Sequence, residues 1–239
     1  MIDGTTPILN PSASHSLDVR VTAAVAAERR GEQRAAWPIA KSVCDRLASI
    51  VLLVAIAPIL LVIAVLIKLD SPGPVLFRQV RVGRHGELFT VLKLRTMQDK
   101  ASSELHRRYI ASLATGASGT GTVLKKLVDD PRVTRVGAFL RRSSLDELPQ
   151  LFNVLRGEMS IVGPRPALAY ELDFYEPQHF QRFDVRPGLT GLWQVSGRSQ
   201  LGFLSMLSLD SEYARTTSPR VDAMILLRTP LTLLRKHAA

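Results

Sequence analysis

The sequence predicts an α+β fold: a mainly helical head with a small β-hairpin, anchored by one membrane helix that carries a proline near its middle. Three observations lead there. Leu47–Ile67 (LASIVLLVAIAPILLVIAVLI) holds no charged residue and is long enough, as a helix, to cross a hydrocarbon layer of about 30 Å. Val75–Val82 and Glu87–Met97 are rich in β-formers and flank Gly83-Arg84-His85-Gly86, the pattern of a hairpin. Leu148, Leu151, Phe152 and Leu155 recur at helical spacing and stop at Gly157.

Taken in order, residues 1–40 mix Ser, Thr, Pro, Ala and Arg without sustained periodicity. They are expected to form a mostly disordered tail with a short helix near Val21–Arg30, ahead of a single domain over 41–239. A cleaved signal peptide is not expected: the apolar run starts late, is too long, and is followed by Lys68-Leu69-Asp70. Pro58 removes a hydrogen bond inside the run and crowds the preceding turn, so a break or bend is expected there. Basic residues lie on both sides, Arg29, Arg30, Arg34, Lys41 and Arg46 before the run and Lys68, Arg78, Arg81 and Arg84 after it. A straight span would put one basic set outside, against the positive-inside bias. A re-entrant helix, broken at Pro58, keeps both on the cytoplasmic side; the charge pattern leaves the kinked straight span open as the alternative.

Ser71-Pro72-Gly73-Pro74 ends the membrane segment. In the second hairpin strand Lys93 and Arg95 are two apart and share a face, where they could meet a phosphate. Gln98 to about Lys126 is polar, with helical stretches and a Gly/Ser/Thr-rich loop at Thr115–Thr122. Asp129-Asp130-Pro131 marks a turn, and Val136, Phe139 and Leu140 form a helical stripe before Arg141-Arg142. The last segment, from Arg220, is apolar but interrupted by Arg228 and Pro230, and reads as an interfacial helix.

With 31 Lys+Arg against 21 Asp+Glu, the net charge of +10 calls for an anionic partner: nucleic acid, anionic lipid or a phosphorylated substrate. Four Tyr, two Trp and no basic-aromatic repeat or reading motif argue against nucleic acid. The single cysteine, Cys44, excludes an intrachain disulfide and a Cys-rich zinc site.

The residues suited to chemistry cluster around Ser143–Pro166 (SSLDELPQLFNVLRGEMSIVGPRP). Asp146 and Glu147 are adjacent carboxylates at the start of the apolar helix. Either Ser144 as a capping box with Glu147, or Asp146 as N-cap ahead of Pro149, puts both in its first turn. Arg141, Arg142, Arg165 and Arg186 are available to gather anionic oxygens, and guanidinium forks match phosphate. Arg165 is held between Pro164 and Pro166, and Arg186 opens a second turn, Arg186-Pro187-Gly188-Leu189-Thr190-Gly191.

SPGPVLFRQVRVGRHGELFTVLKLRTM, DPRVTRVGAFLRRSSLDELPQLFNVLRGEMSIVGPRP and RPGLTGLWQVSGRS, in this order, resemble the bacterial sugar transferases, the monotopic polyprenol-phosphate phosphoglycosyl transferases. The likeness runs from about Lys41 to the C-terminus. It implies an enzyme that moves a sugar 1-phosphate from a UDP-sugar to undecaprenyl phosphate and releases UMP, as the first membrane step of exopolysaccharide or capsule synthesis. It also implies Asp146 as nucleophile and Glu147 as a ligand of Mg²⁺; Arg141, Pro164, Arg165, Arg186, Lys93 and Arg95, read from their own setting, are expected around the substrate. The implied location is the bacterial inner membrane, with the head on its cytoplasmic face. A homodimer and downstream glycosyltransferases are the further partners it suggests. One departure is that Ala57 precedes Pro58 where many members carry Ser. A different class of function, a catalytically idle membrane scaffold for glycan-assembly enzymes, would fit better had an acid of the pair been lost.

Overall fold

The computed structural model describes residues 36–98, 130, 132–197 and 201–235. The expected tail before Ala36, its short helix, and most of the polar stretch after Gln98 with its Thr115–Thr122 loop lie outside the described residues. Helix α1 (Ala36–Asp70) starts earlier and ends later than the apolar run, so residues 36–40 belong to a helix and not to the tail. Pro58 lies inside α1, which continues as one helical element on both sides of it. A proline costs its own N–H bond and disturbs one turn, while the apolar residues on either side remain strong helix formers. α1 is long and apolar enough to cross a membrane, and Val51, Val54, Leu61 and Val62 along it are exposed.

The hairpin forms as the sequence predicts. β1 (Leu76–Val82) and β2 (Leu88–Leu94) pair antiparallel from Leu76↔Leu94 to Val82↔Leu88. The turn between them holds His85 and Gly86 in left-handed conformation, at φ 55° and 81°. After the hairpin come α2 (Arg135–Ser143), a 3₁₀ turn (Leu145–Glu147) and α3 (Gln150–Arg156). Thr134 caps α2 by accepting from the Gly137 N–H at 3.0 Å. Gly137 lets α2 press against the chain leaving β2: a Cβ there would fall 2.1 Å from the Thr96 carbonyl oxygen.

The buried face of α3 differs from the apolar stripe. Phe152 is exposed, while the polar Gln150 and Asn153 are buried beside Leu151 and Val154. Asn153 is inside because β2 has a strand on one edge only. Its Oδ1 accepts from Leu92 N–H at 3.1 Å and its Nδ2 donates to Thr90 carbonyl at 2.7 Å, so one side chain satisfies the other edge. Buried backbone groups need such partners.

The second half of the head is built from elements that the apolar pattern does not announce. β3 (Ser160–Val162) pairs in parallel with β4 (Gly188–Thr190), which falls within the segment expected as a turn. Two 3₁₀ segments, Ala169–Phe174 and Pro177–Asp184, lie between them. They are followed by a short α4 (Leu192–Val195), then α5 (Phe203–Thr216) and α6 (Pro219–Arg235). α6 is the helix expected at the membrane interface: Leu226, Leu227 and Leu231 are exposed, and Ile225 is buried with Val162 and Tyr213.

Both ends of α1 are fastened to this head. Near its start, Lys41 pairs with Asp222 of α6 at 2.7 Å, and Asp45 accepts from Ser160 Oγ at 2.6 Å. Near its end, Ile63 and Ile67 pack with Leu94 and Leu140, and Asp70 accepts from the Val136 N–H at 3.0 Å.

Asn153→Ala removes both bonds to β2 and leaves buried amide and carbonyl groups without partners. Unfolding by denaturant is expected to show a loss of about 2–4 kcal/mol, against less than about 1 kcal/mol for Phe152→Ala on the exposed face.

Candidate active site

The acidic pair sits on a tight turn, not on the helix. Ser144 ends α2 in left-handed conformation at φ 59°, which points the chain back across the head. The next residues close a 3₁₀ turn, with Leu148 N–H donating to Leu145 carbonyl at 3.2 Å. Pro149 then caps α3, and no side-chain cap is made by Ser144. Both expected capping arrangements are thus replaced. With no N–H of its own, Pro149 suits the boundary between turn and helix. Leu145 packs against the core shared by α1, β2 and α2, and Asp146 and Glu147 remain half-buried.

Cations from three directions address these acids. Lys93 of β2 reaches Glu147, Nζ to Oε1 at 2.8 Å. Arg141, on the last turn of α2, donates from Nε to Thr96 Oγ1 at 3.0 Å. Burial lowers the Arg141 pKa from the usual arginine value, and the nearby charges of Asp146 and Asp130 oppose that. Arg81, on β1, is buried and donates to Pro166 carbonyl at 3.0 Å and Gln79 Oε1 at 2.7 Å. Burial, joined by the charge of Arg165, brings Arg81 down to about 10, against the pull of Glu171, Tyr170 and Glu147. It stays protonated at neutral pH, in the same field as Glu147 and Arg165.

Arg165 is held more firmly than two flanking prolines require. A fully buried pair, Arg182 and Asp210 at 2.6 Å, grips its backbone. Arg182 Nη2 donates to the Arg165 carbonyl at 2.5 Å, and Asp210 Oδ2 accepts from the Arg165 N–H at 3.3 Å. Arg182 also donates to the Tyr175 hydroxyl. The Arg165 guanidinium pairs with Glu171 at 3.5 Å, and Glu171 in turn accepts from the Leu168 N–H at 2.9 Å. Pro164 is buried, and its carbonyl accepts from the Gly188 N–H at 2.8 Å, tying this segment to β4.

Two of the expected substrate residues are elsewhere. Arg95 is buried and turned to the end of α1, where it donates to the carbonyls of Ser71 at 2.7 Å, of Ile67 at 3.5 Å, and of Pro72. A cation at a helix C-terminus is favourable, and three carbonyls absorb its donors. Arg186 lies beyond the other end of α3, near Arg46 and Arg84. Asp146, Glu147, Lys93 and Arg141 come together, with Arg165 and Arg81 on their flank.

Arg81, Glu171, Arg182 and Asp210 escaped the sequence reading. Two of them had a signal. Arg81 and Lys93 occupy the same face of a hairpin whose register pairs Phe77 with Lys93 and Arg81 with Phe89. Asp210 falls on the stripe Phe203, Met206, Leu207, Tyr213, all buried, where an acid demands a partner.

Comparison with known proteins identifies the family. The family described as bacterial sugar transferase matches residues 36–236. The chain belongs to the bacterial sugar transferase family. Among its relatives is the exopolysaccharide production protein ExoY of Rhizobium meliloti, 40% identical over 202 residues, covering 84% of this chain and 88% of that protein. The UDP-glucose:undecaprenyl-phosphate glucose-1-phosphate transferase of Caulobacter vibrioides is 43% identical over 209 residues, covering 84% and 72%. The undecaprenyl-phosphate galactose phosphotransferase of Salmonella typhimurium is 39% identical over 199 residues, covering 83% of this chain and 41% of that longer protein. This sugar transferase is therefore an enzyme of the phosphoglycosyl transferase kind.

The two basic residues of the β2 exit are expected to separate in the laboratory. Lys93→Met should slow sugar-phosphate transfer about 10- to 100-fold with little change in melting temperature. Arg95→Met should lower the melting temperature by several degrees, because the end of α1 loses its donor.

Proposed function

We propose that this sugar transferase moves a sugar 1-phosphate from a UDP-sugar to undecaprenyl phosphate, releasing UMP, as the first membrane step of exopolysaccharide or capsule synthesis. The observation that carries the reading is the adjacent pair Asp146 and Glu147 on one rigid turn, with Lys93 on Glu147 and Arg141 beside Asp146. The activities by which the Caulobacter and Salmonella relatives are named support these substrates, and that of ExoY supports the pathway.

Asp146 acts as nucleophile. Its carboxylate oxygen attacks the sugar-bearing phosphorus, a new P–O bond forms, and the bond to UMP breaks, leaving a phosphosugar ester on Asp146. An oxygen of the lipid phosphate then attacks the same phosphorus, and Asp146 leaves as the carboxylate. Arg165, clamped from behind by Arg182 and Asp210, and Arg81 and Arg141 offer fixed positive charge to the phosphate oxygens. A charged donor that does not reorganise stabilises a developing anion most effectively.

The donor set fits Mg²⁺. No group of three or more acids, His or Cys suited to a metal occurs among the described residues, and this ion commonly takes one or two carboxylates plus substrate phosphates. Glu147, with Oε1 on Lys93, would hold it. Held there, the ion would supply positive charge against the diphosphate oxygens.

The membrane arrangement we propose is re-entrant, with α1 entering and leaving on the cytoplasmic face of the inner membrane. Contacts of both ends of α1 with one head support it, since a straight crossing would hold the two ends of the apolar run about 30 Å apart on opposite surfaces. In a Cys44→Ser background, single cysteines at Ser42 and Arg84 are expected to label from the same side in intact membranes. Labelling from opposite sides would rule out the re-entrant path.

The covalent step has a direct test. UDP-sugar without lipid should leave a phosphosugar adduct on Asp146, visible by mass spectrometry, with ping-pong kinetics. Asp146→Asn should abolish adduct and turnover, while Glu147→Gln should weaken the Mg²⁺ dependence and slow the rate. A fully active wild-type enzyme that forms no adduct would assign the attack to the lipid phosphate directly.

A further inference from the structure

Arg186, which does not reach the acidic pair, belongs to a second convergence of cations. A cleft of about 350 Å³ opens between the β1–β2 turn and the C-terminal end of α3, lined in part by Arg84, His85, Phe89, Gly157, Glu158 and Arg186. Arg46, from α1, reaches it at Gly157: a Cβ on that glycine would fall 2.5 Å from Arg46 Nη2. Gly157 has φ 80°, so glycine there serves both the left-handed cap and the guanidinium above it. Burial lowers the Arg186 pKa from its usual value, the charges of Arg84 and Arg46 lower it further, and Asp45 opposes them.

Three acids lie at or near this cluster, and two of them are engaged elsewhere. Asp45 accepts from Ser160 Oγ at 2.6 Å and lies 3.6 Å from Lys41, and Glu158 accepts from Asn153 Nδ2 at 2.7 Å. Glu87, the third, lines the cleft but is exposed to solvent at the turn. Arg84 gives its Nε to the Asp184 carbonyl at 3.2 Å. Arg46 and Arg186 have neither a hydrogen bond nor an ion pair with any described residue. Exposed Arg46 and half-buried Arg84 and Arg186 converge with no described carboxylate hydrogen-bonded to any of them, and an anion bound among them relieves their repulsion.

Position names the anion's source. Arg46 directly precedes Leu47, the first residue of the charge-free run, so one helical step of about 1.5 Å separates its backbone from the start of the apolar segment. The cleft is separated from the acidic pair by the length of α3, roughly 15 Å for the ten residues from Glu147 to Gly157. A phosphate is the shared chemistry of a phospholipid headgroup, free phosphate and the UDP donor; depth and distance favour the first. We propose that Arg46, Arg84 and Arg186 form a binding site, separate from the acidic pair, for the headgroup phosphate of an anionic phospholipid. A lipid seated there fixes the hairpin turn and the end of α3 at headgroup level. The inference rests on the membrane reading above.

The test uses the full chain in neutral detergent and follows its melting temperature as ligand is added. Phosphatidylglycerol should raise it with saturation, and phosphatidylcholine should not. Arg46→Gln and Arg186→Gln should each raise the half-saturating lipid concentration about fivefold or more, the weight of one cation at a lipid surface. Arg186→Lys keeps the charge without the fork and should fall between, which serves if a glutamine variant melts too early to titrate. Glu147→Gln should respond to phosphatidylglycerol as wild type does. Unchanged titrations in the arginine variants, an equal response to phosphatidylcholine, or a response lost in Glu147→Gln would overturn the proposal. So would inorganic phosphate or UDP that displaces the lipid effect at lower concentration, because the cleft would then belong to a soluble anion. No turnover is needed, so failure here is distinct from failure of the proposed reaction.

Discussion

Everything in the catalytic half of the head depends on how the unpaired edge of β2 is satisfied. A two-stranded hairpin exposes backbone donors and acceptors along both outer edges, and burying one against a helix is costly unless each group finds a partner. Asn153 supplies that partner from α3, bonding Leu92 N–H and Thr90 carbonyl while its amide also meets Glu158. Once α3 is locked to β2, the 3₁₀ turn before it must lie beside Lys93. The acids of that turn therefore face a cation without any flexible loop between them. The same lock carries Gly157 at the opposite end of α3 to Arg46.

The second constraint is electrostatic. Arg182 and Asp210 are buried together, and a buried pair seldom stabilises a fold over apolar residues of the same size. Here the pair also bonds both backbone groups of Arg165, and Arg182 reaches the Tyr175 hydroxyl. The pair thus converts an expensive arrangement into a fixed direction for one guanidinium. Glu171 repeats the pattern from another segment, accepting a backbone N–H while pairing with the Arg165 side chain. Order around Arg165 thus comes from behind it, through buried groups that hold its backbone.

The membrane helix is integrated with this head. Hydrophobic packing of Ile63 and Ile67 with Leu94 and Leu140, the Lys41–Asp222 pair and the Arg95 cap of the α1 carbonyls link it to the strands and helices that carry the acids. The depth of α1 in a bilayer and the height of the acidic pair above it are consequently one variable.

Composition and local pattern determined much of this protein unaided. A charge-free run long enough for a membrane, a hairpin around Gly83–Gly86, a helix stopped at Gly157 and the terminal amphipathic helix all rest on propensity and periodicity within single segments. The acidic pair was legible too, as adjacent carboxylates in an arginine-rich setting, and the ordered motifs named the family. Tertiary structure decided the rest. Only the partner surface turned Gln150 and Asn153 inward and Phe152 outward. Only long-range contact could divide the arginines: Arg165 to Glu171, Arg95 to a helix end, Arg186 to a separate cleft. The physical reason is that a guanidinium has the same appearance in sequence whatever it meets. Its role is set by which carbonyl, carboxylate or unmatched charge the folded chain brings within hydrogen-bond reach.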